Sequence, residues 1–436
     1  MTNYINMTDE KIDLLKLIRD NQLLHPDTQK SDYPKNYPFF DKQADVTVTF
    51  IVPILTGESV YKMIYPALAM NLYSSTHRAF LYAIKDYIVK NQIDDYSTGV
   101  SIPDTFIEIS DYMVFPFFIY EKKDPDGKNL WEIWEIIREA KPGIKIVYCV
   151  DINFLRIPVG YPGYKQYESR VVKDTIIENM RYADIVLITQ QALGESLFSE
   201  LKDQLQGSPT TIEVMPCGFF PELIDPIIHS EDVPDVDHTK FRVGMISNPT
   251  HADDINCIRD QLITLKGKYK DGLEIISFGW KGQADFGKGL RDVFRGIPVD
   301  YKTPVNFYNY YQRLAELQFD CMLIPVKLTE DQQFTLTSKN YRKYIEASSM
   351  GIPCLITGVA PFKDTQYPGD GFPLIKPGET AILIEKKADW VTELSAAIED
   401  KNEITRLDTI GIKAYSQAHE RFTYKHILQW IERIFE

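Results

Sequence analysis

Three charged residues in the C-terminal half, Lys339, Lys343 and Glu346, occupy positions i, i+4 and i+7 of the stretch TSKNYRKYIEASSMGIPCLIT (337–357). On a helix at 100° per residue they share one stripe, while Tyr341, Tyr344, Ile345 and Ser348 point to the side that packs on a sheet. Two lysines one turn apart repel each other slightly. An anion held at a helix start offsets that cost. Glu346 lies too far along to serve the same anion, but it can accept hydrogen bonds from a diol about 10 Å further on. Phosphates at the lysines and a ribose at the glutamate describe a nucleoside diphosphate laid along the helix, with Asn340 among its contacts. The same spacing also fits a solvated helix face carrying a Lys343–Glu346 pair, worth under ~1 kcal/mol.

Other stretches offer chemistry with an equally plain structural alternative. Ser247-Asn248-Pro249-Thr250-His251 lies between a strand and a helix that opens with Asp253-Asp254. Small residues there let backbone N–H groups reach a phosphate, and Ser247, Asn248, Thr250 and His251 are its candidate contacts. An ordinary helix cap by Asn248 or Thr250 explains the same residues. Asp151, with Asn153, ends a strand and can orient an acceptor hydroxyl or take its proton; capping a loop is the alternative. The glycine-rich loop 280–289, WKGQADFGKG, carries Lys281 and Lys288 and can close over an anion or be a surface turn. Tyr308, Tyr310 and Tyr311 fit a core helix better than a base-stacking role. No G-x-G-x-x-G, P-loop or G-x-S-x-G occurs, and the seven histidines lack metal-ligand spacing.

The elements that must position these groups alternate strand and helix. Lys plus Arg (48) against Asp plus Glu (62) leaves a net charge of −14, which disfavours bulk binding to nucleic acid or anionic lipid. An anionic ligand must then be held by particular cations and helix ends. The five cysteines form no C-x-x-C pair and read as buried free thiols. The N-terminal segment lacks the apolar run of a signal peptide, and no window is apolar enough to span a membrane. Strands are expected at 46–54, 78–84, 106–110, 112–118, 145–151, 184–189, 212–217, 241–247, 273–280, 297–302, 320–326, 352–357 and 381–385. Helices are expected in the N-terminal stretch within 1–44, at 58–73, 130–141, 168–182, 190–205, 251–269, 305–318 and 337–350, and in the stretch from 389 to the end, with breaks near 422–424. Gly351 suits a left-handed helix terminus, and Pro353 prevents the helix from restarting.

At this point the residues resemble a known group. SKNYRKYIEASSMGIPCLI, preceded by FDCMLIPV, resembles the donor-site region of nucleotide-sugar glycosyltransferases of GT-B fold, closest to the retaining family-4-like group. Lys339, Lys343, Glu346, Gly351 and Pro353 match its K-S-x-x-K-x-x-E-Y-x-A-x-G-x-P pattern. GMISNPTHADDI resembles the G-x-x-x-x-x-H-x-x-D-L loop, MRYADIVLITQQAL the A-D-x-V-x-x-x-T-x-x-L segment, and VMPCGF the P-N-G strand end. The pieces together cover roughly residues 145–400. The resemblance implies Glu346 at the ribose, Lys339 and Lys343 near the diphosphate and His251 by the phosphates or sugar. The first domain would bring the acceptor. Two departures stand out: Ser338 replaces the acid usual eight residues before Glu346, and Asp151-Ile152-Asn153 replaces an acidic cluster.

The expected fold is α/β, two doubly wound parallel-sheet domains facing across a cleft. Their bounds are 1–225 and 241–415, joined by a linker at 226–240, with a terminal helix 416–436 packing back on the first domain. The expected function is transfer of a sugar from a UDP- or GDP-sugar to a hydroxyl of a glycan, lipid-linked sugar or protein. Transfer is expected to be retaining and metal-independent, without a tightly bound cofactor or nucleic-acid partner. The expected setting is cytoplasmic, with peripheral membrane contact compatible. Rival readings are a sugar-nucleotide epimerase of the same fold, a non-catalytic GT-B subunit and a sugar-binding protein.

Overall fold

Short runs rich in Val, Ile, Leu and Phe, flanked by helical text, dictate strands covered on both faces, and such strands pair in parallel. The computed structural model describes residues 39, 41–52, 60–83, 102–117, 128–159, 161, 164–230, 239–246, 251–279, 290–305, 309–327, 332–363, 365–368, 371–400 and 402–436. Among these, the first sheet comprises β1 (Val46–Val52), β2 (His77–Ala83), β3 (Tyr112–Phe115), β4 (Lys145–Val150), β5 (Ile185–Ile188) and β6 (Thr211–Val214), in the order β2-β1-β3-β4-β5-β6. The second comprises β7 (Phe241–Ile246), β8 (Leu273–Phe278), β9 (Asp300–Lys302), β10 (Cys321–Ile324), β11 (Cys354–Thr357) and β12 (Ile382–Ile384), in the order β12-β11-β10-β7-β8-β9. Every strand pairing is parallel. The chain is thus α/β with two doubly wound sheets.

In the second sheet the strand order reverses between β7 and β10. A crevice opens beyond the carboxyl ends of strands at such a reversal. Helix Arg342–Ser349, between β10 and β11, aims its first turn there. Its other end closes as a Schellman motif: Ile352 N–H donates to Ala347 O (2.9 Å) and Gly351 N–H to Ser348 O (3.0 Å). Gly351 has φ +73°, a conformation that costs a Cβ-bearing residue energy. Helix Arg406–Arg421 packs against this turn, with Gly411 directly over the Gly351 carbonyl.

The final helix, Tyr424–Ile434, packs on helix Tyr65–Tyr73 of the first sheet's domain. Tyr424 Oη donates to Tyr61 O (3.2 Å), and Phe435 sets its ring edge on Phe50. The stretch following β6 is helical over Pro221–Ile228, which includes the start of the expected linker; 231–238 lie outside the described residues, as do residues 1–38.

Three sequence expectations need correction. FIEIS (106–110) is not a strand but lies largely within helix Asp104–Ile109: Pro103 and Asp104 open it, Phe106 and Ile107 share its buried side, and Ser110 Oγ donates back to Phe106 O. A short apolar run does not distinguish the two structures by periodicity. The helix expected over 251–269 is two helices, Ala252–Asn256 and Arg259–Tyr269. The Cys257 thiol donates to Asp254 O (2.8 Å) and Ile258 N–H turns to Ile255 O (3.1 Å), so the regular ladder stops. The helix expected from Thr337 is likewise split into Gln332–Ser338 and Arg342–Ser349. Asn340 Oδ1 accepts from Arg342 N–H (3.2 Å), and this local turn starts a new helix instead of continuing the old one.

Gly411→Ala tests the packing that fixes the helix Arg342–Ser349. The added Cβ would stand 2.4 Å from Gly351 O, a backbone atom that cannot swing away. Thermal unfolding should show a loss of roughly 1–3 kcal/mol.

Candidate functional site

The site is organised by a carboxylate. Asp254, in the first turn after β7, is 5% exposed. Its Oδ1 accepts from the Lys327 N–H (2.9 Å), in the loop after β10. Its Oδ2 accepts from Lys339 Nζ (2.5 Å) and meets His251 Nδ1 at 3.1 Å, a contact in which an ionised carboxylate calls for the proton on Nδ1. Burial alone would raise the Asp254 carboxyl, but Lys339 and His251 outweigh it and hold it well below the usual carboxylate range. His251 is lowered too, but here burial is the main cause. Burial, and next the Lys343 ammonium, push its ring down to about 3, although 24% of the side chain remains exposed and open to a ligand.

Lys343 stands in the first turn of helix Arg342–Ser349, and its Nζ donates to Ile246 O (2.8 Å), the last carbonyl of β7. Among the described residues no carboxylate lies in ion-pair range of it. Burial pushes Lys343 down to about 7; Asp254 opposes this, and Lys339 and Arg342 reinforce it. One turn along, Glu346 is 3% exposed, accepts from Tyr310 Oη (2.9 Å) and pairs with Arg342 (3.3 Å).

The other domain faces this edge. Arg342 lies 5.0 Å from the centre of the Tyr61 ring, and Tyr61 Oη meets Tyr311 Oη at 2.8 Å. Asn153, fully buried after β4, donates from Nδ2 to Thr337 Oγ1 (3.1 Å) and from its backbone N–H to Ser338 Oγ (3.0 Å). A cavity between the domains is lined by the carboxyl ends of β4 and β5, by Tyr61, Lys62 and Met215, and by Asn340 and Arg342 opposite. Lys62 pairs with Asp151. Cys149 and Cys217 also line the cavity; burial pushes both thiols up to about 12, so neither is a nucleophile near neutral pH.

Lys339, Lys343 and His251 are thus brought together with Asp254 at the β7/β10 reversal, and Glu346 stands beside them on the same helix as Lys343. Lys339 is not on that helix, contrary to the single-stripe expectation: it follows the preceding helix, because the Asn340 turn separates the two. Asn340 faces the cavity, and Asp151 lies across the cleft with Lys62. Ser247, Asn248, Thr250 and Lys281 lie outside the described residues. Sequence reasoning took Asp254 for a simple first-turn acid. The available signal was its place three residues after His251 in the H-x-x-D pattern.

Solved structures share this arrangement of strands and cleft. An alpha-glucosyltransferase in complex with UDP-glucose and DNA containing an abasic site superposes with a TM-score of 0.60 at 11% identity, over 90% of this chain and 100% of that one. Sucrose-phosphate synthase from Thermosynechococcus elongatus gives 0.55 at 11% identity, over 89% and 98%. A glycosyltransferase from Rickettsia africae ESF-5 gives 0.54 at 12%, over 90% and 98%. The chain has the GT-B fold. No family model and no curated sequence matches it. Within the GT-B fold the basic edge described above lies on the second domain, facing the cleft. No helix among the described residues is long and apolar enough to cross a membrane.

The depressed Lys343 gives a signed pH test. Its proton affinity falls from an ordinary 10.5 to about 7 on folding, so unfolding takes up a proton between those values and this residue's contribution to stability rises with pH across that window. Lys343→Met should unfold a few degrees above the parent protein at pH 6. The advantage should shrink as pH rises from about 7 to 10, as followed by thermal unfolding without nucleotide.

Proposed function

We propose that the protein is a glycosyltransferase that moves a sugar from a nucleoside diphosphate to an acceptor hydroxyl. The observation that carries this reading is the convergence of Lys343, Lys339 and the start of helix Arg342–Ser349 at the β7/β10 reversal, facing a second α/β domain in a GT-B fold. Departure of a nucleoside diphosphate builds negative charge on its terminal phosphate. An ammonium and helix N–H groups aimed there stabilise the transition state more than the ground state. That supply of positive charge makes the reaction metal-independent on this reading.

The donor is a UDP- or GDP-sugar, UDP leading because the alpha-glucosyltransferase of like fold is a UDP-glucose complex. Glu346 takes the ribose hydroxyls when Arg342 and Tyr310 make room. His251 and Asn340 contact the phosphates or sugar, with Ser247, Asn248, Thr250 and Lys281 as further candidate contacts of the anion. Asp151, held by Lys62, receives the proton of an acceptor hydroxyl on a glycan, lipid-linked sugar or protein. Resemblance to the retaining group makes a hexosyl transfer with retention the outcome to test. A second reading, a GT-B subunit that binds nucleotide without transfer, is favoured by one observation. Ser338, which replaces an acid of the related pattern, is already occupied by Asn153 N–H.

A thermal-shift screen with UDP, GDP, ADP and their sugar conjugates should give one match, worth ~2.7 kcal/mol at a hundredfold excess over Kd. With that donor, Lys343→Met should lower kcat roughly 100-fold, and Glu346→Gln should chiefly raise KM, both with cooperative unfolding intact. Unchanged turnover in both variants would remove the assignment, and binding without transfer to any acceptor would favour the subunit reading. Above pH 7 the affinity should fall, because Lys343 must regain a proton to meet the phosphate.

A further inference from the structure

We propose that Asp254 is the positioning residue of the donor site, one carboxylate that sets both the place of the Lys339 ammonium and the tautomer of His251. The proposal rests on the glycosyltransferase reading for the identity of the ligand alone. Both Asp254 oxygens are consumed by protein donors from three separate segments: His251 beside it, the Lys327 N–H after β10, and Lys339 before helix Arg342–Ser349. With both oxygens engaged, Asp254 acts on a ligand through its neighbours.

Two consequences follow from the geometry. Donation from Nδ1–H leaves His251 Nε2 as a lone-pair acceptor, suited to a ligand hydroxyl and unsuited to a bare phosphate oxygen. The cations around the ring, Lys339 and Lys343, oppose its further protonation, while Asp254 is the carboxylate that faces it. The charge of Lys339 is compensated by Asp254, whereas among the described residues Lys343 meets a backbone carbonyl and no carboxylate. The two lysines are therefore not equivalent: Lys339 is an oriented donor within a neutral pair, and Lys343 brings the charge that balances an anion. Neighbouring Asp253 has no such part. Its side chain is 68% exposed and pairs with Lys327 Nζ at the surface.

The test uses Asp254→Asn in the full chain, with UDP, GDP and ADP as calorimetric probes at pH 6, where Lys343 carries its proton. Loss of a negative charge beside two lysines would, by electrostatics alone, tighten an anion. The proposal expects the opposite sign, a weakening of about tenfold or more, the loss expected when the Lys339 ammonium is no longer held in place to donate its charge-assisted hydrogen bond. Asp253→Asn removes the same charge one residue earlier and should leave the affinity unchanged or slightly tighter. Unweakened binding by a cooperatively folded Asp254→Asn overturns the proposal. Should that variant fail to fold, ¹⁵N-histidine NMR of the parent protein decides. The His251 signal, assigned by its loss in His251→Gln, should show the neutral Nδ1–H tautomer at pH 6; an Nε2–H tautomer or an imidazolium overturns the proposal. If the parent protein binds none of the three nucleotides, the glycosyltransferase reading fails, while the tautomer measurement still decides the role of Asp254.

Discussion

A carboxylate taken out of water must find its donors inside the protein, and Asp254 finds them on its neighbour His251 and on two residues, Lys327 and Lys339, more than seventy positions further along the chain. Leaving such a group without its partners costs about 3–5 kcal/mol, so the loops after β7 and β10 and the entry to helix Arg342–Ser349 are held to one another. They meet where the order of the second sheet reverses, and that reversal leaves a crevice for a ligand. The same junction decides which positive charge remains for a ligand. Lys339 is neutralised where it stands, and Lys343, drawn down over the end of β7, is not.

Across the cleft the first domain contributes positioning and enclosure. Arg342 is shared between the two sides, pairing with Glu346 on its own helix while it lies over Tyr61. Asn153 reaches the end of helix Gln332–Ser338, and Tyr61 meets Tyr311. These are polar contacts on an aromatic and apolar wall, an arrangement that water and ligand can exchange more readily than a packed core. The final helix, Tyr424–Ile434, is the exception. It lies on helix Tyr65–Tyr73 with large apolar side chains and ties the end of the chain to the first domain. On the proposed function, a donor ribose at Glu346 would have to share or displace Arg342 and Tyr310, and would thereby link nucleotide binding to the contact between the domains.

Much of the fold was legible because parallel strands are covered on both faces and so appear as uninterrupted apolar runs; KIVYCV, FRVGMI and CMLI needed no context. FIEIS was misread because five residues, three of them apolar, fit a strand as well as a turn of helix opened by Pro103 and Asp104. The broken helices were missed for a different reason. In each, a side chain, Asn340 or Cys257, competes with the backbone for a hydrogen bond, and periodicity does not register that competition.

The sequence by itself determined the two α/β blocks, the left-handed terminus at Gly351 and the presence of Lys339, Lys343, Glu346 and His251 as candidate groups. These follow from local pattern: strand hydrophobicity, helix stop signals and residue type. Only the tertiary structure decided that Lys339 belongs to Asp254 and Lys343 to the end of β7, that Glu346 is engaged by Tyr310 and Arg342, and that Asp151 is paired with Lys62. Each of these depends on which strand ends lie side by side, and that is set by how the whole sheet is wound and covered.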